Sequence, residues 1–197
     1  GEVVYGLEDG AVKLGLLRSN ASQILLKSEH SVIALASRRD GEGVVSSHLD
    51  GSIYIIAPLS GNGGIPRVSL LSCHPCPAYA LSWGRSVCAA GNDQSVVFYD
   101  ANGKVEQKFD YSRAKEDRPL CKEFSAATCS LSGDAVVLGN FDWLTTFFWN
   151  KSKGSWYESA PTVVENMYNV TAMSWNPNGS EIAVGTSVGL LDLYSTF

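Results

Sequence analysis

The chain has 197 residues, 45% hydrophobic and 18% charged, the composition of a folded globular protein with no need of metal or disulfide staples. Twenty acidic residues against fifteen basic ones leave a net charge of −5, which excludes a basic nucleic-acid-tracking surface and a broad polybasic membrane patch. The apolar runs are short, SVIALAS and DAVVLG among them, and none approaches the ~18 residues of a membrane span.

The chain opens with Gly1-Glu2-Val3-Val4, lacking methionine, a basic stretch and an apolar core, so no signal peptide is expected and the start lies partway through a longer polypeptide. Residues 1–27 carry the turn GLEDG (6–10) and then a strand alternating Val12 and Leu14. Residues 28–72 hold a strand with Ala34, a turn at Arg39-Asp40-Gly41, the turn SHLDG, and a strand alternating Ile53 and Ile55. Glycine-rich SGNGG (60–64) joins two strands and opens no helix, so it is not a phosphate loop. Residues 73–110 begin with the loop Cys73-His74-Pro75-Cys76, then a strand with Ala80 ending at Trp83, the turn GNDQS, and Val96 alternating with Phe98. Residues 111–123 are a polar insertion. Residues 124–159 repeat the plan with Ala127, the turn Leu131-Ser132-Gly133, GNFDW, and Thr145 with Phe147. Residues 166–197 repeat it again with Ala172, Trp175, Pro177-Asn178-Gly179, GTSVG, and Leu191 with Leu193.

The four alanines lie 46, 47 and 45 residues apart. The turn positions Asp9, Asp50, Asp93, Asp142 and Val188 are separated by 41, 43, 49 and 46. A repeat of this length means a propeller or a solenoid, and alternation with period two selects strands. The expected fold is all-β, a partial propeller of about four and a half four-stranded antiparallel blades, with alanines where inner strands converge. At about 45 residues per blade the chain reads as part of a larger propeller, its first blade lacking an inner strand and its last an outer one.

GNDQSVVFYD resembles the turn-plus-strand signature of the WD-repeat family, with Tyr99-Asp100 where Trp-Asp is usual and Trp149-Asn150 as a looser echo. His30 and His74 stand near the family's Gly-His position without the glycine. The runs HPCPAYALSW (74–83), FDYSR (109–113) and DAVVLGNFD (134–142) resemble, more narrowly, the amino-terminal propellers of the intraflagellar transport family. That resemblance implies a non-enzymatic, protein-binding scaffold in the cytoplasm, cilium and ciliary base. It implies partners among the other subunits of ciliary transport complex B, with no nucleic acid or small-molecule substrate. A WD-repeat adaptor of vesicle coats or another cytosolic assembly, and an extracellular propeller lectin or enzyme, are the alternatives.

The candidate site residues follow from the repeat. Asp9, Asp50, Asp93 and Asp142 recur once per blade, so they are expected to cap turns, not to act as an acid–base pair. Zinc would need a second Cys-x-x-C beside Cys73 and Cys76, and none exists. The five cysteines are read as free thiols, and no cofactor or metal is expected. Four Asn-x-Ser/Thr sequons, at Asn20, Asn150, Asn169 and Asn178, coincide mostly with turns. Trp83 and Trp175 end inner strands and are expected to pack between blades. Trp143 is expected at a loop tip, on the end that also collects His74, Tyr79, Tyr111, Arg113, Lys115 and Arg118. These seven are the candidate partner-binding residues, because loops on a rigid scaffold commonly carry recognition.

Overall fold

The computed structural model describes residues 1–57, 66–112, 123–160, 162–164 and 168–195. Among them there are five antiparallel sheets and no helix. The sheets fall into two compact units, Gly1–Ala78 and Tyr79–Phe197.

The first unit holds two sheets. One runs in the order β1 (Glu2–Gly6), β2 (Ala11–Leu16), β3 (Ala21–Lys27). The other runs β4 (Val32–Ser37), β5 (Val44–His48), β6 (Ser52–Ala57), β7 (Arg67–Cys73). Strands β1 and β4 pack together. The Asp-Gly turns supply what a tight hairpin needs, since Gly10 and Gly51 take φ of 83° and 86°. Alternation is only partly kept in β6. Ile53 and Ile56 are fully buried while Ile55 is half-buried. His48 is wholly buried and stands edge-on to Tyr54 at 5.2 Å. Its Nδ1 lies 3.0 Å from the His30 carbonyl, which only accepts, so Nδ1 carries the proton and Nε2 takes the Ser46 hydroxyl at 3.1 Å.

The second unit holds three sheets. The first is β8 (Ala80–Trp83), β9 (Val87–Ala90), β10 (Ser95–Tyr99) and β11 (Val105–Asp110). The second is β12 (Phe124–Cys129), β13 (Ala135–Asn140), β14 (Trp143–Asn150) and β15 (Ser155–Glu158), with β16 (Thr162–Val163) also paired to β14. The third is β17 (Val170–Trp175), β18 (Glu181–Thr186) and β19 (Leu191–Ser195). The leading strands β8, β12 and β17 pack side by side, which is where the repeat places its alanines, and Ala80 is fully buried.

Two cores fill the spaces between these sheets. Phe98 stacks on Trp156 with centroids 4.3 Å apart and meets Phe147 edge-on at 5.5 Å. Phe124, Val136 and Leu138 complete that core. Between the second and third sheets Val137, Leu144, Val170, Ile182 and Val184 are buried, with Trp175 packed against them. At two copies the glycine that heads the turn signature has a packing reason. A Cβ on Gly139 would fall 2.6 Å from the Val170 side chain, and one on Gly6 would strike Val32. Ser47 fills the same place in its sheet and donates its hydroxyl to the Ala78 carbonyl at 2.6 Å.

Leu191 and Leu193 fall in a strand, as their alternation predicts. They stand on edge strand β19 and are 75% and 68% exposed, so their alternation faces no core among the described residues. Two of the sequons hold turn asparagines: Asn150 accepts from the Ser152 and Lys153 amides, and Asn178 from the Ser180 amide.

Candidate interaction face

At one end of each sheet a hairpin turn is tied by backbone hydrogen bonds to a connection between sheets. The β1–β2 turn bonds residues 28–32: the Ser28 amide donates to Gly10 and the Val32 amide to Leu7. The β5–β6 turn bonds the 73–79 loop, the His74 amide donating to the Gly51 carbonyl at 2.8 Å. The β9–β10 turn receives the Tyr111 and Phe124 amides at Gln94 and Gly91. The β18–β19 turn is held by the Ser187 amide on the Asn169 carbonyl at 2.9 Å. Turns and connections therefore share one end in every sheet, the geometry that an up-and-down meander dictates.

The turn aspartates do the capping work in three cases. Asp9 Oδ1 accepts the Ala11 amide at 3.0 Å. Asp50 Oδ1 accepts the Ser52 amide at 3.0 Å and its hydroxyl at 2.7 Å. Asp93 accepts the amide and hydroxyl of Ser95. The Lys27 ammonium, 2.7 Å from Asp9, and the Ala11 amide hold the Asp9 carboxyl below its usual range. Partial burial pushes Asp50 upward, but the two Ser52 donations and the His30 ring 3.7 Å away outweigh it and leave it depressed.

Asp142 departs from this pattern. Its own backbone takes φ of 60°, and its carboxylate accepts the Tyr168 amide, 26 residues away, at 2.7 Å. The hairpin here is tighter: Asn140 pairs directly with Trp143, so the tip is Phe141-Asp142. Trp143 consequently opens β14, half-buried and paired also with Val163, and does not stand at the tip. A pattern match aligns the aspartates but cannot see that one turn has lost a residue.

The other candidates separate by exposure. Tyr79 is 46% exposed. His74 is 3% exposed, so its ring is not available to a partner. Tyr111 is half-buried, 5.6 Å from Phe124 and packed on the aromatic core. Arg113, Lys115 and Arg118 lie outside the described residues. Cys73 is exposed and Cys76 is half-buried. The sequence reading passed over Phe141 and Tyr168, which are 50% and 42% exposed and meet edge-on at 5.9 Å. Their only signal was the placement of large aromatics in turn positions.

Among the described residues no helix is long and apolar enough to cross a membrane. A scan against family models finds no match. The chain is 40% identical over 195 residues to intraflagellar transport protein 172 of Chlamydomonas reinhardtii, covering 98% of this chain and 11% of that protein. It is 37% identical over 188 residues to the human homologue, covering 95% and 10%. It thus spans about a tenth of the length of these relatives. A chain in a crystal structure of the mitotic checkpoint complex superposes on all of it with a TM-score of 0.77 at 17% identity, over 61% of that chain. That likeness concerns fold alone and agrees with the propeller blades of WD-repeat proteins.

Proposed function

The chain is homologous to intraflagellar transport protein 172 over nearly its whole length, and we propose that it serves as a non-enzymatic, protein-binding scaffold within ciliary transport complex B. The observation that carries this reading is the identity of 40% sustained across 195 residues, which reaches well beyond the turn signatures common to propellers. The architecture supports it: rigid sheets present turns and connections at one end, and recognition commonly sits on such loops. We assign partner contact to that end, where Tyr79 is open to solvent. The partners are other subunits of the same complex, and the place of action is the cilium and its base. Binding is by surface complementarity, with no covalent step.

The test is cross-linking mass spectrometry on the intact protein in its native complex, with localisation of the tagged protein in ciliated cells. Cross-links from the turn face to other transport subunits, with enrichment at the cilium, are expected. A uniformly cytosolic steady state without such cross-links overturns the reading and favours the vesicle-coat type of adaptor.

A further inference from the structure

The β13–β14 tip holds two aromatic rings in water by a device absent from the aspartate turns that cap themselves. Asp142 and Tyr168 bond reciprocally: the Tyr168 amide donates to Asp142 Oδ1 at 2.7 Å, and the Asp142 amide donates to the Tyr168 carbonyl at 3.3 Å. Tyr168 takes φ of 56°, a left-handed conformation that a bulky aromatic adopts only at a cost. The reciprocal bonds offset that cost and fix the ring edge-on to Phe141. In this unit Phe98, Phe147 and Trp156 are buried, while Tyr79 and Tyr157 are exposed to a similar degree as this pair. The Asp142 carboxylate is half-exposed and has no cationic partner among the described residues, whereas Asp9 has Lys27, Asp40 has Arg38 and Asp134 has Lys151. The neighbouring turn, tied on through Asn169, adds Val188 and Leu190 at 52% and 44% exposure.

We propose that Phe141, Asp142 and Tyr168 form a docking point for an extended segment of a protein partner, seated by an arginine or lysine side chain. Charge complementarity selects this occupant. Aromatic faces carry negative quadrupole density, the adjacent carboxylate is uncompensated, and the chain is net acidic, so a cation gains on each count. An acidic peptide, a nucleic acid or an anionic lipid is repelled by the same groups. Arginine suits the site best, because its planar head stacks on a ring while its edge still donates to a carboxylate. Val188 and Leu190 would lie beside the aliphatic part of the segment. The inference rests on the scaffold reading, since it presupposes a protein partner.

The test uses the full-length protein and fluorescence anisotropy with a labelled alternating Gly-Arg peptide and its citrulline counterpart, which keeps the shape and loses the charge. Two variants leave the turn intact. Asp142→Asn keeps the acceptor for the Tyr168 amide, and Tyr168→Asn tolerates the left-handed backbone. Wild type is expected to bind the arginine peptide in preference to the citrulline one, and each variant to weaken it by roughly three- to tenfold. Equal binding of both peptides, no binding by wild type, or unchanged binding by both variants overturns the proposal. Co-purification of wild type with the transport complex is followed in parallel. Its retention without peptide binding removes this site alone, and its loss removes the scaffold reading.

Discussion

Asp9 and Asp50 illustrate how one carboxylate per turn becomes a pH-dependent support. Both have folded-state values below the ordinary carboxylate value, Asp9 through Lys27 and Ala11, Asp50 because the Ser52 donations and His30 overcome partial burial. A depressed group stabilises the folded state above its unfolded value, near pH 4, and that contribution is lost as pH falls through the folded value. Hydrogen exchange of the β1–β2 and β5–β6 turns should therefore accelerate below about pH 4 more steeply in wild type than in the Asp9→Asn, Asp50→Asn double variant. The asparagines keep the amide caps, so an equally steep acid limb in the variant would remove the carboxylates from the account. Gly139 makes the complementary argument from packing. A Cβ there would press into Val170 at 2.6 Å, between two sheets with no room to yield. Gly139→Ala should cost about 1–3 kcal/mol, read as faster exchange at both β13 and β17.

At the scale of elements, one lock between sheets was invisible in the sequence. Trp156 is 2% exposed, stacked on Phe98, with its indole N–H on the Ser86 hydroxyl at 3.4 Å. The Gln107 side chain, from outer strand β11, receives the Trp156 amide and donates to its carbonyl, both at 2.8 Å. A side-chain amide thus imitates a strand partner for β15. Nothing in local alternation announces a glutamine paired 49 residues away, whereas Ala34, Ala80, Ala127 and Ala172 announce their strands through spacing alone. The same limit explains Trp143. Its neighbours match the turn signature, but the missing turn residue that moves it into β14 is a property of backbone register. Trp156→Ala should cost about 3–5 kcal/mol. Gln107→Ala, which strands a backbone pair, should cost about 1–3 kcal/mol. Denaturant melts that left either variant unshifted would show that the lock is not a support.

Across the whole molecule the burial pattern repeats from sheet to sheet, and it sets an order of local stability. Central strands β5, β9, β10 and β13 are buried along their entire length. Outer strands β3, β7 and β11, and edge strand β19, are mostly exposed. In a repeat architecture stability is close to a sum of units and neighbouring interfaces, so opening should begin at outer edges and spare the centres. The repeat in the sequence made this order legible in outline, since it located the strands. It located β19 as a strand, while the exposure of its alternating leucines follows from the strand's place at a sheet edge. Native-state hydrogen exchange of the intact protein should find the slowest amides in β5, β9, β10 and β13, and the fastest strand amides in β3, β11 and β19. Uniform protection across a sheet, inner to outer, would mean that each blade opens as one cooperative block, and the turn face would then share the stability of the centres. Graded protection leaves the turn-face contacts anchored to the slow strands β5, β9 and β13, which carry the turns at their ends. Under the binding mode proposed above, fraying at the outer edges would then leave the turn face intact.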